Sequence, residues 1–104
     1  ENVYPSEVEN VVAAHPAVQE VAVIGVPDPK WGEAVKAVVV LKPGYEPTQE
    51  LASEIMEFCR GKIAGYKRPK SVDFISEEEM PRTATGKILH RVLRERYGKW
   101  SDAV

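Results

Sequence analysis

Apolar residues at helical spacing predict a helix close to the start of the chain. Val8 and Val11 fall on one helical face. Ser6 and Glu9 match the S-x-x-E pattern of a capping box, in which each side chain bonds the backbone amide of the other residue. We therefore predict a first helix over residues 6–14, ended by the His-Pro pair that follows, because proline lacks an amide proton.

Two runs rich in β-branched residues predict strands over 18–26 and 34–41, and a shorter run predicts a third strand over 71–75. The segment PDPKWGE between the first two strands is too short for a helical crossover. These two strands are therefore predicted to pair antiparallel.

Two further helices follow from the same spacing. The second is predicted to begin near Thr48, whose hydroxyl can cap it, and the last near Thr85 for the same reason. The apolar face of the last helix comprises Ile88, Leu89, Val92, Leu93 and Tyr97. The element order αββαβα contains no repeated βαβ unit, so an α+β fold is predicted. It has a small antiparallel sheet of about three strands flanked by three helices, with room for an additional short hairpin.

Length and composition indicate a single folded domain. The chain has 104 residues, of which 43% are hydrophobic and 29% charged, as in ordinary globular domains. Its longest apolar stretch, AVVVL at 37–41, is far shorter than the roughly 20 residues of a membrane-spanning helix, so no span is expected. Cys59 is the single cysteine and no metal-binding pattern occurs, which predicts no disulfide, no metal site in this chain and a cytoplasmic location. Met56 and Cys59 are interpreted as core residues.

Charge is distributed unevenly along the chain. Residues 1–59 carry three basic and ten acidic side chains, whereas residues 60–104 carry eleven basic and six acidic ones, giving net charges of −7 and +5. The second half is therefore expected to meet an anion, although solvated charge on an exposed helix accounts for part of the excess. Too few aromatic residues are interleaved with these cations for a nucleic-acid platform.

The run PRTATGKILHR at 81–91 contains a lysine next to the predicted start of the last helix, where the helix dipole is mildly unfavourable to a cation. TGK resembles the end of a phosphate-binding P-loop, but Pro81 replaces the first glycine and Ile88 the magnesium-binding hydroxyl, so a nucleotide triphosphatase is excluded. Two interpretations of Lys87 stay open: an ordinary surface lysine, or a point charge that a flexible stem delivers to an anionic oxygen.

GYKRPK at 65–70 and KWGE at 30–33 supply further candidates. Tyr66, Arg68 and Lys70 place an aromatic ring among cations, a combination suited to a phosphorylated ligand with a flat base, but a solvated basic loop has the same composition. Trp31 is either a lid over the core or an exposed stacking surface.

Together, ENVYPSEVE, VIGVPDPKWGEAVKAVVV, GYKRPK and PRTATGKILHR resemble, in this order and spacing, the C-terminal domain of adenylate-forming enzymes, the superfamily of acyl-CoA synthetases, adenylation domains and luciferases. The resemblance covers nearly all of residues 1–104. It implies a single mobile lid domain of a longer enzyme, whose N-terminal domain binds ATP, Mg²⁺ and the acyl substrate. Alone, this domain is then expected to be inactive.

The resemblance implies two reactions. A carboxylate and ATP give an acyl-adenylate and pyrophosphate, and a thiol then takes the acyl group and releases AMP. Lys87 matches the lysine of the PRTxxGK motif and would stabilise adenylation electrostatically. ENVYP resembles the loop that lines the pantetheine tunnel, and Trp31, Tyr66, Arg68 and Lys70 match positions that hold the adenine and phosphates of CoA in related ligases. His90 departs from the arginine or lysine of many members, without bearing on these roles.

GYKRPK with KWGE looks more like CoA ligases than like adenylation domains that serve a carrier protein. The expected function is therefore that of an AMP-forming acyl-CoA ligase acting on a fatty or aromatic acid, with ATP and CoA as substrates. An adenylation domain that loads a carrier protein is the alternative within the enzyme class. A non-catalytic anion-binding or interaction module is the alternative outside it.

Overall fold

The computed structural model describes residues 5–30 and 32–98. It contains helix α1 (Pro5–Ala13), strands β1 (Val18–Asp28) and β2 (Gly32–Leu41), helix α2 (Gln49–Phe58), strand β3 (Ser71–Phe74) and helix α3 (His90–Tyr97). Single turns of 3₁₀ helix lie at Gly65–Lys67 and Glu77–Glu79. Three helices around a three-stranded sheet confirm the predicted α+β class.

The sheet has the order β1-β2-β3 and is mixed. β1 and β2 form the predicted antiparallel pair, in which Val26 lies opposite Ala34. β3 instead lies parallel to β2, with Ser71 opposite Lys36. The prediction of a wholly antiparallel sheet is therefore wrong for this strand, because the intervening helix α2 carries the chain back to the end of the sheet where β2 begins.

Both faces of the sheet are covered, which explains why β1 and β2 are almost continuously apolar. On one face, Val8 of α1 and Ile55 of α2 pack against residues such as Val23. On the other face, Leu93 of α3 packs against residues such as Ile24. Neighbouring residues of one strand thus belong to different clusters, as the alternation of side chains in a strand requires.

The last helix begins at His90 and not near Thr85. The preceding residues form a tight turn in which Arg82 and Ile88 make an antiparallel bridge, which is the short hairpin that the sequence left room for. Its turn contains Gly86 with φ +93°, a left-handed conformation that is incompatible with a continuing right-handed helix. The hydroxyl of Thr85 lies 3.1 Å from that of Thr83 and does not cap the helix.

The first helix also begins differently from the prediction, at Pro5, so Ser6 lies inside it and is not its cap. The carboxylate of Glu9 contacts other elements of the fold. Its Oε2 accepts a hydrogen bond of 2.8 Å from the amide of Val23 and lies 2.7 Å from Nε2 of His90. One carboxylate therefore joins α1 to β1 and to the start of α3.

Cys59 is fully buried, and its Sγ donates to the carbonyl of Ile55 over 3.6 Å, which confirms its interpretation as a core residue. Burial raises the pKa of its thiol, which keeps it protonated and unreactive. Met56 is partly buried at the edge of α2. In the described residues, no helix is long and apolar enough to cross a membrane.

Truncation of Leu93 tests whether α3 is an integral layer of the fold. Leu93 is fully buried, so Leu93→Ala is expected to lower the free energy of unfolding by about 2–5 kcal/mol through lost burial and a residual cavity. Glu95→Ala, at an exposed position of the same helix, is the control and should change it by less than about 0.5 kcal/mol. Chemical denaturation measures both, and equal effects would contradict the layered core.

Candidate functional site

Lys87 lies in the second arm of the short hairpin. The amide of Thr83 donates to the carbonyl of Lys87 over 2.8 Å, and the amide of Lys87 donates to Thr83 Oγ1 over 3.1 Å. The amide of Gly86 closes the turn on the carbonyl of Thr83 over 2.9 Å. The backbone on both sides of the lysine is thus fixed by hydrogen bonds across the hairpin.

The side chain of Lys87 is exposed, and its ammonium group makes no hydrogen bond or ion pair within the described part of the chain. The predicted conflict with a helix dipole is absent, because Lys87 precedes the first residue of α3 by three positions. The lysine is therefore a compact positive charge on a flexible stem, carried by a rigid turn and held by no other residue of the ranges 5–30 and 32–98.

Arg82 and Glu20 anchor the hairpin to β1. The guanidinium of Arg82 contacts both carboxylate oxygens of Glu20, with 2.6 Å between Nη1 and Oε2. This hydrogen bonding raises the pKa of Arg82 above its already high value, so the guanidinium stays charged. At the base of the hairpin, the amide of Leu89 donates to the carbonyl of Pro81 over 2.9 Å. Sequence reasoning did not identify Glu20, because no local pattern links residues that are 62 positions apart.

The segment GYKRPK is also held by backbone contacts. Tyr66 lies in the 3₁₀ turn with its side chain outward and is 52% exposed. The amide of Lys70 donates to the carbonyl of Val35 on β2 over 2.7 Å, and its Nζ donates to the carbonyl of Gly65 over 3.0 Å. Pro69 is buried beside it. This basic loop is therefore fixed against the beginning of β2.

A cleft of about 800 Å³, which we call the main cleft, opens beside this loop. Tyr66 and Lys70 line it together with Arg94 of α3 and Glu33 of β2, which sequence reasoning did not single out as site residues. Glu33 directly follows Trp31 and Gly32 in the quoted KWGE motif, which was the available signal. Pro5 of α1 and residues of the two strands form the rest of the wall: Val23, Ile24, Gly25, Ala34 and Val35.

A smaller depression of about 240 Å³ lies next to the main cleft, and Lys70 lines both. We call it the basic depression, because Arg60 and Arg68 also line it. Its other lining residues are Ser53, Met56, Glu57 and Pro69. Three of the predicted site residues, Tyr66, Arg68 and Lys70, are thus brought together on one side of the domain.

Lys87 lines neither of these two concavities. Its hairpin is anchored at Glu20, whereas Lys70 is bound to Val35, which pairs with Gly25. Glu20 and Gly25 are five positions apart in β1, or roughly 17 Å at the rise of a strand. The lysine and the basic loop therefore occupy different parts of the domain surface. Trp31 and the first four residues of ENVYP lie outside the described residues.

Comparison with known proteins assigns the family. The sequence model of the AMP-binding enzyme C-terminal domain matches residues 7–87. The chain belongs to this family. The match includes the basic loop and ends on Lys87. No group of three or more potential metal ligands occurs in the described residues.

Three relatives illustrate the similarity. A long-chain-fatty-acid–CoA ligase of Mycobacterium tuberculosis, FadD13, is 50% identical over 97 residues, which are 93% of this chain and 18% of the ligase. A fatty acid–[acyl-carrier-protein] ligase of Streptomyces coeruleorubidus, ScoC, is 44% identical over 99% of this chain and 18% of its own length. The crystal structure of ATP-bound MatB from Rhodopseudomonas palustris superposes with a TM-score of 0.82 at 40% identity, over 94% of this chain and 18% of that one. The chain thus spans about a fifth of the length of these relatives.

The hairpin of this AMP-binding enzyme C-terminal domain depends on glycine at position 86. Gly86→Ala is expected to lower the free energy of unfolding by about 1–2 kcal/mol, because its positive φ brings a Cβ too close to the backbone. Gly86→Asn is the matched control and should be milder, since asparagine tolerates this conformation better. Denaturation curves measure both variants. An alanine variant as stable as the parent would show that the turn does not require this conformation.

Proposed function

We propose that this chain is the mobile C-terminal domain of an AMP-forming acyl-CoA ligase, which converts a carboxylate, ATP and CoA into acyl-CoA, AMP and pyrophosphate. Family membership and the CoA ligase among the similar proteins support the proposal. The observation that carries it is the exposed Lys87, which has no partner among the described residues and lies on an anchored hairpin. A lysine so placed is available to a substrate that a different domain holds.

Lys87 would act in the first half-reaction. When the carboxylate attacks the α-phosphate of ATP, the new acyl–phosphate bond forms as the bond from the α-phosphorus to the bridging oxygen breaks. Negative charge then builds up on the α-phosphoryl oxygens and on the departing pyrophosphate. A preorganised cation near these oxygens lowers the barrier more than a solvated one, because water is excluded and less reorganisation is required. The hairpin supplies the preorganised backbone, and the N-terminal domain would supply ATP, Mg²⁺ and the acyl pocket.

The basic loop would act in the second half-reaction. The exposed ring of Tyr66 offers a stacking surface for adenine, and Arg68 and Lys70 offer cations for the phosphates of CoA. Trp31 and the ENVYP segment complete the proposed CoA contacts. Because Lys87 and this loop lie on different parts of the surface, one domain would have to present them in turn, which is the reason for proposing that it rotates.

A second candidate function is the loading of an acyl carrier protein, which the similarity to the ligase ScoC favours. The thiol substrate of such an enzyme would be carried on a pantetheine arm attached to a protein, without an adenine nucleotide. The three cations around the basic depression favour CoA, since they would have no nucleotide phosphate to bind in the other case. A cytoplasmic location, where CoA and ATP are available, is part of the proposal.

The role of Lys87 is tested in the full-length enzyme. Lys87→Ala is expected to lower the rate of adenylation by about two to three orders of magnitude, the range found when one preorganised charge-stabilising donor is removed. Thioester formation from a supplied acyl-adenylate should change little. Pyrophosphate release measures the first step and thiol consumption the second.

Lys42→Ala is the control for Lys87, because Lys42 is an exposed lysine in the turn that follows β2. It should leave both half-reactions unchanged. Equal loss of both half-reactions in Lys87→Ala would argue against the assigned role, and a fully active Lys87→Ala enzyme would return Lys87 to the interpretation as an ordinary surface lysine.

The CoA role of the basic loop is tested separately. Arg68→Ala is expected to raise the KM for CoA about tenfold or more, since a hydrogen bond to a charged group contributes about 1.5–3 kcal/mol. The KM for ATP should not change. Arg91→Ala is the control, because this exposed arginine of α3 pairs with Glu95 and lines neither concavity. An unchanged KM for CoA would make the loop an ordinary solvated surface.

A further inference from the structure

We propose that Arg60, which the sequence motifs do not include, is a specificity-determining residue that binds the 3′-phosphate of CoA in the basic depression together with Arg68 and Lys70. The proposal rests on the CoA ligase function proposed above and names the part of CoA that this depression recognises. It also predicts which thiol substrates the enzyme distinguishes.

Arg60 comes from a different element than the basic loop. It follows the end of α2 by two residues, and its amide donates to the carbonyl of Glu57 over 2.9 Å. Its side chain is 66% exposed and lines the depression with Arg68 and Lys70. Two segments that are separate in sequence therefore place their cations around one small concavity.

Glu57 fixes the orientation of Arg60. The Nε of Arg60 donates to Glu57 Oε2 over 2.5 Å, and Nη2 donates to Oε1 over 3.3 Å. Hydrogen bonding to Arg60 lowers the pKa of Glu57, so this carboxylate stays ionised at neutral pH. A guanidinium has five N–H donors, and these two contacts leave three for a ligand. Glu57 thus orients the guanidinium of Arg60 and leaves some of its N–H donors available to a ligand.

The charge of the depression matches a phosphate monoester. Arg60, Arg68 and Lys70 contribute three positive charges and Glu57 one negative charge, which leaves +2. A phosphate monoester carries about −1.5 to −2 at neutral pH. The carboxyl-terminal end of α2 presents partial negative charge, which disfavours an anion, so recognition here has to come from the side chains.

Size and position favour the terminal 3′-phosphate over the diphosphate of CoA. The depression holds about 240 Å³ and adjoins the main cleft only where Lys70 lines both. A monoester can enter such a concavity end-on, while its nucleotide lies in the neighbouring cleft beside Tyr66. A diphosphate is connected at both ends and requires a continuous groove. Ser53 adds a hydroxyl that can donate to a phosphate oxygen.

The test compares CoA with dephospho-CoA, which lacks only the 3′-phosphate, in thioester formation by the full-length enzyme. The parent enzyme is expected to show a KM about tenfold or more lower for CoA, consistent with charge-assisted hydrogen bonds to the phosphate. Arg60→Ala should raise the KM for CoA by about tenfold and leave that for dephospho-CoA unchanged. Arg60→Lys should recover part of the discrimination, because it restores the charge but not the planar fork.

Arg91→Ala is the control for this comparison and should leave both KM values unchanged, because Arg91 lines neither concavity. A parent enzyme that uses both thiols equally, or an Arg60→Ala variant that raises both KM values alike, would overturn this inference while leaving the ligase function intact. An enzyme that forms no thioester with either thiol would instead overturn the ligase function itself.

Discussion

Burial of the β1–β2 pair on both faces is the constraint from which the rest of the structure follows. Two adjacent strands that are apolar on both sides need helices above and below them, and α1, α2 and α3 supply these layers. Such strands leave little place for charged side chains, and Lys36 in the middle of β2 is paired with Asp73 of β3. The cations of the hairpin and of the basic loop are carried by segments that connect the layers.

The hairpin around Lys87 and the basic loop are attached to the sheet by different interactions. The hairpin around Lys87 is anchored by an ion pair, in which the guanidinium of Arg82 donates hydrogen bonds to the carboxylate of Glu20 near the beginning of β1. The basic loop is anchored by backbone hydrogen bonds to Val35. In both cases a rigid attachment carries side chains that extend outward, and preorganisation of this kind is what electrostatic recognition of phosphate requires. Because the two attachment points are separated along the sheet, Lys87 and the cations of the basic loop can contact different ligands.

Patterns in the sequence were sufficient for the elements that depend on local chemistry. The hydroxyl of Thr48 caps α2 as predicted, and the predicted strands lie within the observed ones apart from one residue at the end of β3. Features that depend on distant residues were not predictable. The parallel pairing of β3 is set by how α2 packs, and the role of Glu9 is set by Val23 and His90. The start of α3 was misplaced because Thr85 suits a helix cap and a turn equally well, and only the positive φ of Gly86 decides between them.

We propose that Lys87 and the basic loop serve different half-reactions from separate parts of one surface. A double-mutant cycle between Lys87→Ala and Arg68→Ala, measured as single-turnover rates of adenylation and of thioester formation at subsaturating CoA, tests it most directly. We expect each variant to slow a different step and the double variant to show the product of the two effects, since distant sites act independently. Loss of the same step in both single variants, or strong non-additivity, would contradict it.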